Sequence, residues 1–266
     1  MPSRKSASML SKAEIKDIRS LHDAKGRSSQ QRFIAEGIKL TGEMLGAFPC
    51  ELLLADEETA RSISRQLDKL PQALRPKRIE VVPESFDWGR VSSQRQPQPL
   101  LGVFALPQED EGSPIASGVS LLLDRIQDPG NLGTIIRTAD WFGIEHLYLA
   151  PGTADPFAPK VVQATMGALG RINLHYVDLC EALAKLPVET PIYGTFLDGS
   201  NIYEQTLETK GLIIMGNEGQ GIHPDLEPFI DRRLTIPPYP LEQAHTESLN
   251  VAIATALILG ELRRRH

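Results

Sequence analysis

Cysteine is nearly absent: Cys50 and Cys180 are the two thiols in 266 residues. Two thiols so far apart make neither a disulfide framework nor a structural zinc cluster, so both read as small packing residues. The six histidines show no metal-ligand spacing. Long apolar runs are missing as well. None reaches the roughly 18–20 residues that span a bilayer, so no membrane partner is expected. The amino terminus, Met1-Pro-Ser-Arg-Lys-Ser-Ala-Ser-Met-Leu10, carries cations but no apolar stretch of the secretory kind, and a cytoplasmic location is the expectation. Neither a Gly-x-Gly-x-x-Gly turn nor a Gly-x-x-x-x-Gly-Lys-Ser/Thr loop occurs, which removes the best support for NAD or ATP chemistry. Internal repeats and low-complexity tracts are also lacking.

A positive balance is missing too. The net charge of −6 counts at first against a nucleic-acid partner. The distribution softens that objection. Up to Arg32 there are eight cations (Arg4, Lys5, Lys12, Lys16, Arg19, Lys25, Arg27, Arg32) against three acids (Glu14, Asp17, Asp23), and the chain ends Arg263-Arg264-Arg265-His266. A solvated terminus and a helix whose last turn carries cations would account for either segment alone.

What is present alternates between strand and helix periods. Ser11-Lys-Ala-Glu14 has the form of a capping box, predicting a helix to about Leu21, followed by a polar loop around 26–30. Strands are predicted near 32–35, 51–54, 78–82 and 100–106, with helices near 38–45 and 57–70, giving a small α/β unit over 1–106. The acidic, turn-rich stretch 107–117 reads as a linker. Beyond it, over 118–266, strands are predicted at 119–123, 146–150, 172–177, 192–196, 212–215 and 233–236. Several are nearly continuous apolar runs, as in a parallel sheet covered on both faces. A terminal helix is predicted from Ser248 to Arg265, packing on the sheet through Leu249, Ile253, Leu257 and Leu262.

Three turns carry the candidate chemistry. Asp128-Pro-Gly-Asn-Leu-Gly-Thr-Ile-Ile-Arg137 follows a buried strand, the position where α/β proteins place ligands. Asn131 is a candidate helix cap, and Gly130 and Gly133 permit close approach. An ordinary turn followed by a surface arginine would look the same. Met215-Gly-Asn-Glu-Gly-Gln-Gly221 follows a second apolar strand. Its Glu218 is either a turn residue tying down backbone N–H groups or an anchor for a cationic partner. The third stretch passes from the strand ending at Ile236 through Pro237-Pro-Tyr-Pro240 to Ser248-Leu-Asn250, where polar groups would gather at a helix amino end.

In this order, the three stretches resemble the SpoU (TrmH-type) branch of the SPOUT RNA methyltransferases: Asp128–Arg137 is similar to its first motif, Met215–Gly221 to its second and Ser248-Leu-Asn-Val251 to its third. Lys160-Val-Val-Gln-Ala-Thr-Met-Gly-Ala168 resembles the helix between the first two. Arg32-Phe-Ile-Ala-Glu-Gly-Ile-Lys-Leu40 is similar to the ribosomal-protein-like substrate-binding domain that many members carry in front. The resemblance implies an α/β SPOUT domain with a parallel sheet and a C-terminal trefoil knot, a homodimer, and transfer of a methyl group from S-adenosylmethionine to a ribose 2′-hydroxyl, with ribosomal RNA as the preferred substrate. It implies no metal. Arg137, Asn131, Glu218, Ser248 and Asn250 become the catalytic candidates: Arg137 holds phosphate and developing charge, Asn131 and Glu218 order the site around it, with Glu218 bonding Arg137 or a neighbouring cation, and Ser248 and Asn250 position the ribose or RNA. Thr195, Leu197, Gly216, Ile236 and Leu249 become the donor contacts. The eleven residues between Ile236 and Ser248 contain no glycine, whereas many members have a shorter loop with one, so donor contacts from 238–245 are not carried over. Transfer-RNA methylation, a non-catalytic RNA-binding protein and a nucleotide-dependent oxidoreductase are the competing readings; donor binding without methyl transfer, or nicotinamide binding, would identify the last two.

Overall fold

The computed structural model describes residues 10–108, 118–240 and 246–264. Two compact units divide the chain. The first holds residues up to Gln108 together with Asp155–Gly170, which lie in sequence between elements of the second. The expected linker falls mostly on 109–117, outside the described residues. No helix among the described residues is long and apolar enough to cross a membrane.

In the first unit, α1 (Lys12–Ser20) opens with the capping box: Ser11 accepts from the Glu14 N–H while the Glu14 carboxylate accepts from the Ser11 N–H. Then come α2 (Ala24–Gln30), β1 (Arg32–Glu36), α3 (Ile38–Leu45), β2 (Cys50–Asp56), α4 (Glu57–Lys69), β3 (Ile79–Val82) and β4 (Leu100–Ala105). The sheet order is β1-β4-β2-β3, with β4 antiparallel to both neighbours and β2 parallel to β3. Ile15, Ile18 and Leu21 pack against Ile34, Leu54 and Val103 in its core. Burial pushes the Cys50 thiol up to about 12, which keeps it protonated and suits a packing role.

The stretch 26–30, expected as a polar loop, is the helix α2. Tertiary contacts make it so. Arg27 is buried, donates to the Leu21 and His22 carbonyls at 2.9 Å, and pairs with Asp155 at 2.7 Å. Gly26 leaves room for the Ser20 carbonyl, which a Cβ there would meet at 1.9 Å.

The second unit begins with β5 (Val119–Leu123), α5 (Pro129–Trp141) and β6 (His146–Leu149). After α6 (Pro159–Thr165), which belongs to the first unit, come β7 (Asn173–Tyr176), α7 (Leu179–Ala184), β8 (Ile192–Asn201), β9 (Gly211–Met215), β10 (Arg232–Thr235) and α8 (Val251–Arg264). Six strands run in the order β10-β8-β9-β5-β6-β7, and every pair is parallel. β5 and β9 are buried at all five positions, as a sheet covered on both faces requires. From β5 the chain proceeds to β6 and β7 on one side and later returns to fill the other. The carboxyl ends of β5 and β9 therefore form a switch point, where open α/β sheets hold ligands.

The terminal helix differs from expectation in start and in face. It begins at Val251, not Ser248, and Asn250 is the residue that accepts from the Ala252 and Ile253 N–H groups. Its buried face is Val251, Ala252, Thr255, Ile258, Leu259 and Leu262. Of the predicted stripe only Leu262 is buried; Leu249, Ile253 and Leu257 are 49%, 52% and 39% exposed.

Candidate functional site

Directly after β5 comes Asp124, a buried carboxylate held by Nε and Nη2 of the adjacent Arg125 guanidinium and by the His223 N–H at 2.7 Å. Arg125 sits in the left-handed region at φ 57° and turns the chain toward α5. The cap of α5 is Asp128, which accepts from the Asn131 N–H at 2.8 Å. Asn131, expected as the cap, is the third residue of the helix, and its side-chain amide is free for another task.

That task is to join the three turns. Asn131 Nδ2 donates to Glu218 Oε1 at 3.0 Å, and Asn250 Nδ2 donates to Asn131 Oδ1 at 2.8 Å. One residue from each turn thus enters a single hydrogen-bonded chain, with the carboxylate at its accepting end. Glu218 holds Asn131, not Arg137 as one of the expectations had it. Arg137 lies farther along α5, exposed, and without an ion-pair or hydrogen-bond partner among the described residues.

The second turn is shaped by Asn217. Its N–H and carbonyl pair with Gly221, its Oδ1 accepts from Gly219 and Gln220, and its Nδ2 donates to the Arg125 carbonyl at 2.8 Å. Gly216 lies against the returning loop: a Cβ there would stand 2.5 Å from both the Gly221 carbonyl carbon and the Ile222 nitrogen. The backbone of this turn is therefore available as a close cradle for a ligand.

Beside the cradle lies a cavity of about 540 Å³, within the range of small-ligand sites. Its walls include Thr195, Leu197, Gly216, Ile236, Ser248 and Leu249, together with Glu218. The β8–β10 pairing explains how Thr195 and Leu197 reach it. Register jumps from Gly194 opposite Arg233 to Ser200 opposite Leu234, so residues 195–199 form a bulge outside the ladder, tied to β10 by Thr235 Oγ1 donating to the Leu197 carbonyl at 3.2 Å. Thr195 Oγ1 is tied back to the Ile214 carbonyl at 3.0 Å. All five expected donor contacts line this cavity, with Ser248 and Glu218; Asn131 and Asn250 are linked to it through Glu218, and Arg137 is not among its walls.

Sequence reasoning missed two groups here. Arg233 lies over the Phe196 ring at 3.4 Å and bridges Asp198 and Glu227, at 2.7 and 2.9 Å. Its guanidinium holds the Asp198 carboxyl below the usual carboxylate range. The Asp124–Arg125–Asn217 group was missed as well, although an acid directly following the buried run Leu121-Leu-Leu123 was a signal.

Residues 118–260 match the SpoU rRNA Methylase family, and residues 12–102 match the MRM3-like substrate binding domain. The chain belongs to the SpoU rRNA Methylase family. Among its relatives is the 23S rRNA (guanosine(2553)-2'-O)-methyltransferase RlmP of Bacillus subtilis (strain 168), 32% identical over 94% of this chain and 96% of that protein. A TrmH-family structure from Porphyromonas gingivalis is 46% identical, with a TM-score of 0.87 over 97% of this chain and all of the other. An AdoMet-bound rRNA methyltransferase from Sinorhizobium meliloti is 28% identical, with a TM-score of 0.78 over 98% of both chains. For a SpoU methylase, the cavity and its glycine cradle are of suitable size and backbone character for the methyl donor.

Proposed function

We propose that this chain transfers the methyl group of S-adenosylmethionine to a ribose 2′-hydroxyl of ribosomal RNA. The observation that carries the reading is the Glu218–Asn131–Asn250 chain, which links all three motif turns beside the donor-sized cavity. The RlmP relative's ribosomal RNA 2′-O-methylation favours the same substrate. Residues 1–106 serve as the substrate-binding domain, 107–117 as the linker and 118–266 as the methyltransferase domain, whose last segments form the trefoil knot.

Thr195, Leu197, Gly216, Ile236 and Leu249 would hold the donor, mainly through backbone atoms around the adenine. When bound, the donor supplies a methyl group on a sulfonium, which is its own leaving group. The chain's residues must align a weakly nucleophilic hydroxyl and help its proton leave. The Arg137 guanidinium offers N–H donors and no acceptor, so it acts by holding the neighbouring phosphate and stabilising charge that develops on the oxygen. Asn131, clamped between Glu218 and Asn250, fixes the start of the helix that bears Arg137. Ser248 and Asn250 position the ribose, and a phosphate oxygen or water accepts the proton.

The working form is a homodimer in the cytoplasm. Its support is the exposed apolar pair Ile253 and Leu257 on α8, with Leu249 just before the helix, together with Trp141, 84% exposed at the end of α5. These two helices are joined by Arg263 Nε donating to the Phe142 carbonyl at 2.8 Å. Arg137→Ala tests the catalytic assignment: methyl transfer should be lost while donor affinity stays within about two-fold. Full activity in that variant would remove Arg137 from the mechanism.

A further inference from the structure

The first unit carries a groove that donor binding does not use. Helix α1 presents Lys12, Lys16 and Arg19 at i, i+4 and i+7, which stacks three cations along one face. All three are exposed and line an open groove of about 600 Å³ with His22, Ser92 and Ser93. Among the described residues none of the three has an ion-pair partner. Four cations of the same unit are instead neutralised: Arg27 by Asp155, Arg32 and Lys77 by Glu51, and Arg78 by Glu14 and Glu80. Glu14 is thereby taken up, and Asp17 lies with Glu14 and Arg78 on a different cavity. Asp23 is the one carboxylate on the groove's wall. In a chain of net charge −6 this is a local arrangement and not the spill-over of a general positive excess.

The groove is also fixed in shape. His22 Nε2 bonds to the Val91 carbonyl at 2.9 Å, tying the end of α1 to the opposite wall. Ser92 donates to the buried Glu36 carboxylate and accepts from the Gln94 N–H at 3.0 Å, leaving the exposed Ser93 to meet a ligand. Arg90 and Arg95 flank the two serines in sequence and are exposed. The apolar residues of α1, Ile15 and Ile18, are buried in the core. Insertion into a lipid surface needs an exposed apolar face, which this helix does not offer. Unpaired cations with hydroxyl neighbours suit phosphate oxygens.

We infer that Lys12, Lys16 and Arg19 form a docking groove for the sugar–phosphate backbone of the RNA substrate. The inference rests on the RNA-methyltransferase reading and adds to it the surface that captures the RNA. The groove sets RNA affinity without touching the donor or the reacting hydroxyl.

The test compares the full-length wild type with the triple variant Lys12→Gln/Lys16→Gln/Arg19→Gln, using ribosomal RNA from cells that lack the enzyme. A control of equal charge change, Arg61→Gln/Arg65→Gln/Lys69→Gln, lies on α4 of the same unit. Each lost phosphate contact lowers the slope of log affinity against log salt by about 0.7–0.9, so the groove variant should lose roughly 2–3 in slope. Its KM for RNA should rise on the order of ten- to a hundred-fold at moderate salt, with kcat and donor affinity kept. The α4 control should keep the wild-type slope. An unchanged slope and KM in a folded groove variant, or an equal loss in the control, would overturn the inference while the wild type still methylates RNA. Wild type that transfers no methyl group to this RNA would instead overturn the functional reading on which the groove depends.

Discussion

Replacing Gly216 by alanine probes the cradle most sharply. The added Cβ would meet the Gly221 carbonyl carbon and the Ile222 nitrogen at 2.5 Å. Carbon atoms rest at about 3.5–4.0 Å, so the turn must open by roughly 1 Å, and its neighbours are backbone, not a side chain that can swing away. Overpacking of this kind costs roughly 1–3 kcal/mol. Because the displaced loop is a cavity wall, donor affinity should weaken roughly five- to 150-fold. Gly219→Ala in the same turn is the control: its nearest neighbour beyond the chain is Asn217 Oδ1 at 3.7 Å, an ordinary contact. Calorimetric titration with S-adenosylmethionine reads the affinity, and a thermal melt shows whether strain has spread, at about 2–4 °C per kcal/mol for a chain of this size. Affinity within two-fold of wild type in Gly216→Ala, with no fall in melting temperature, would refute the cradle.

Arg27→Met should destabilise the protein by roughly 3 kcal/mol or more, because it strands Asp155 and removes two carbonyl contacts; urea unfolding measures it. Ile253→Asp with Leu257→Asp should convert the proposed homodimer to a folded monomer in sedimentation, and a wild type that sediments as a monomer would remove the proposal; both side chains are exposed on one chain and cost little there. The Arg78 guanidinium and the Ser11 cap lower Glu14 from 4.5 to about 2. A depressed carboxylate contributes stability that is present above pH 4.5 and is lost as pH falls toward 2. Glu14→Gln should therefore flatten stability across that acid window and leave its pH dependence above 5 unchanged, as read by chemical unfolding at stepped pH.

The strands were legible because burial on both faces leaves nearly continuous apolar runs, as in Val119–Leu123, interrupted only by Ser120, and Gly211–Met215. Ser11 and Glu14 announced α1 because a capping box is a local interaction. Helix α2 was hidden because its sequence, Ala-Lys-Gly-Arg-Ser-Ser-Gln, has little apolar period and is held by Arg27 reaching a partner 128 residues away. The face of α8 was misread because apolar residues lie on two sides of it: the four-residue spacing of Leu249, Ile253 and Leu257 is as regular as that of the buried set. In the site, the motif residues were visible, but the direction of their bonds was not. Glu218 to Asn131 spans 87 residues and Asn131 to Asn250 spans 119, and no spacing rule reports such pairs. Arg125 escaped notice because a left-handed residue other than glycine leaves no compositional mark.

The central claim is 2′-O-methylation of ribosomal RNA. It is tested most directly by incubating the purified protein with labelled S-adenosylmethionine and, in separate reactions, ribosomal RNA and transfer RNA lacking the modification, then digesting to nucleosides for mass spectrometry. The account predicts label in a single 2′-O-methylated nucleoside. Label on a base, label in transfer RNA alone, or no label despite measurable donor binding would contradict it.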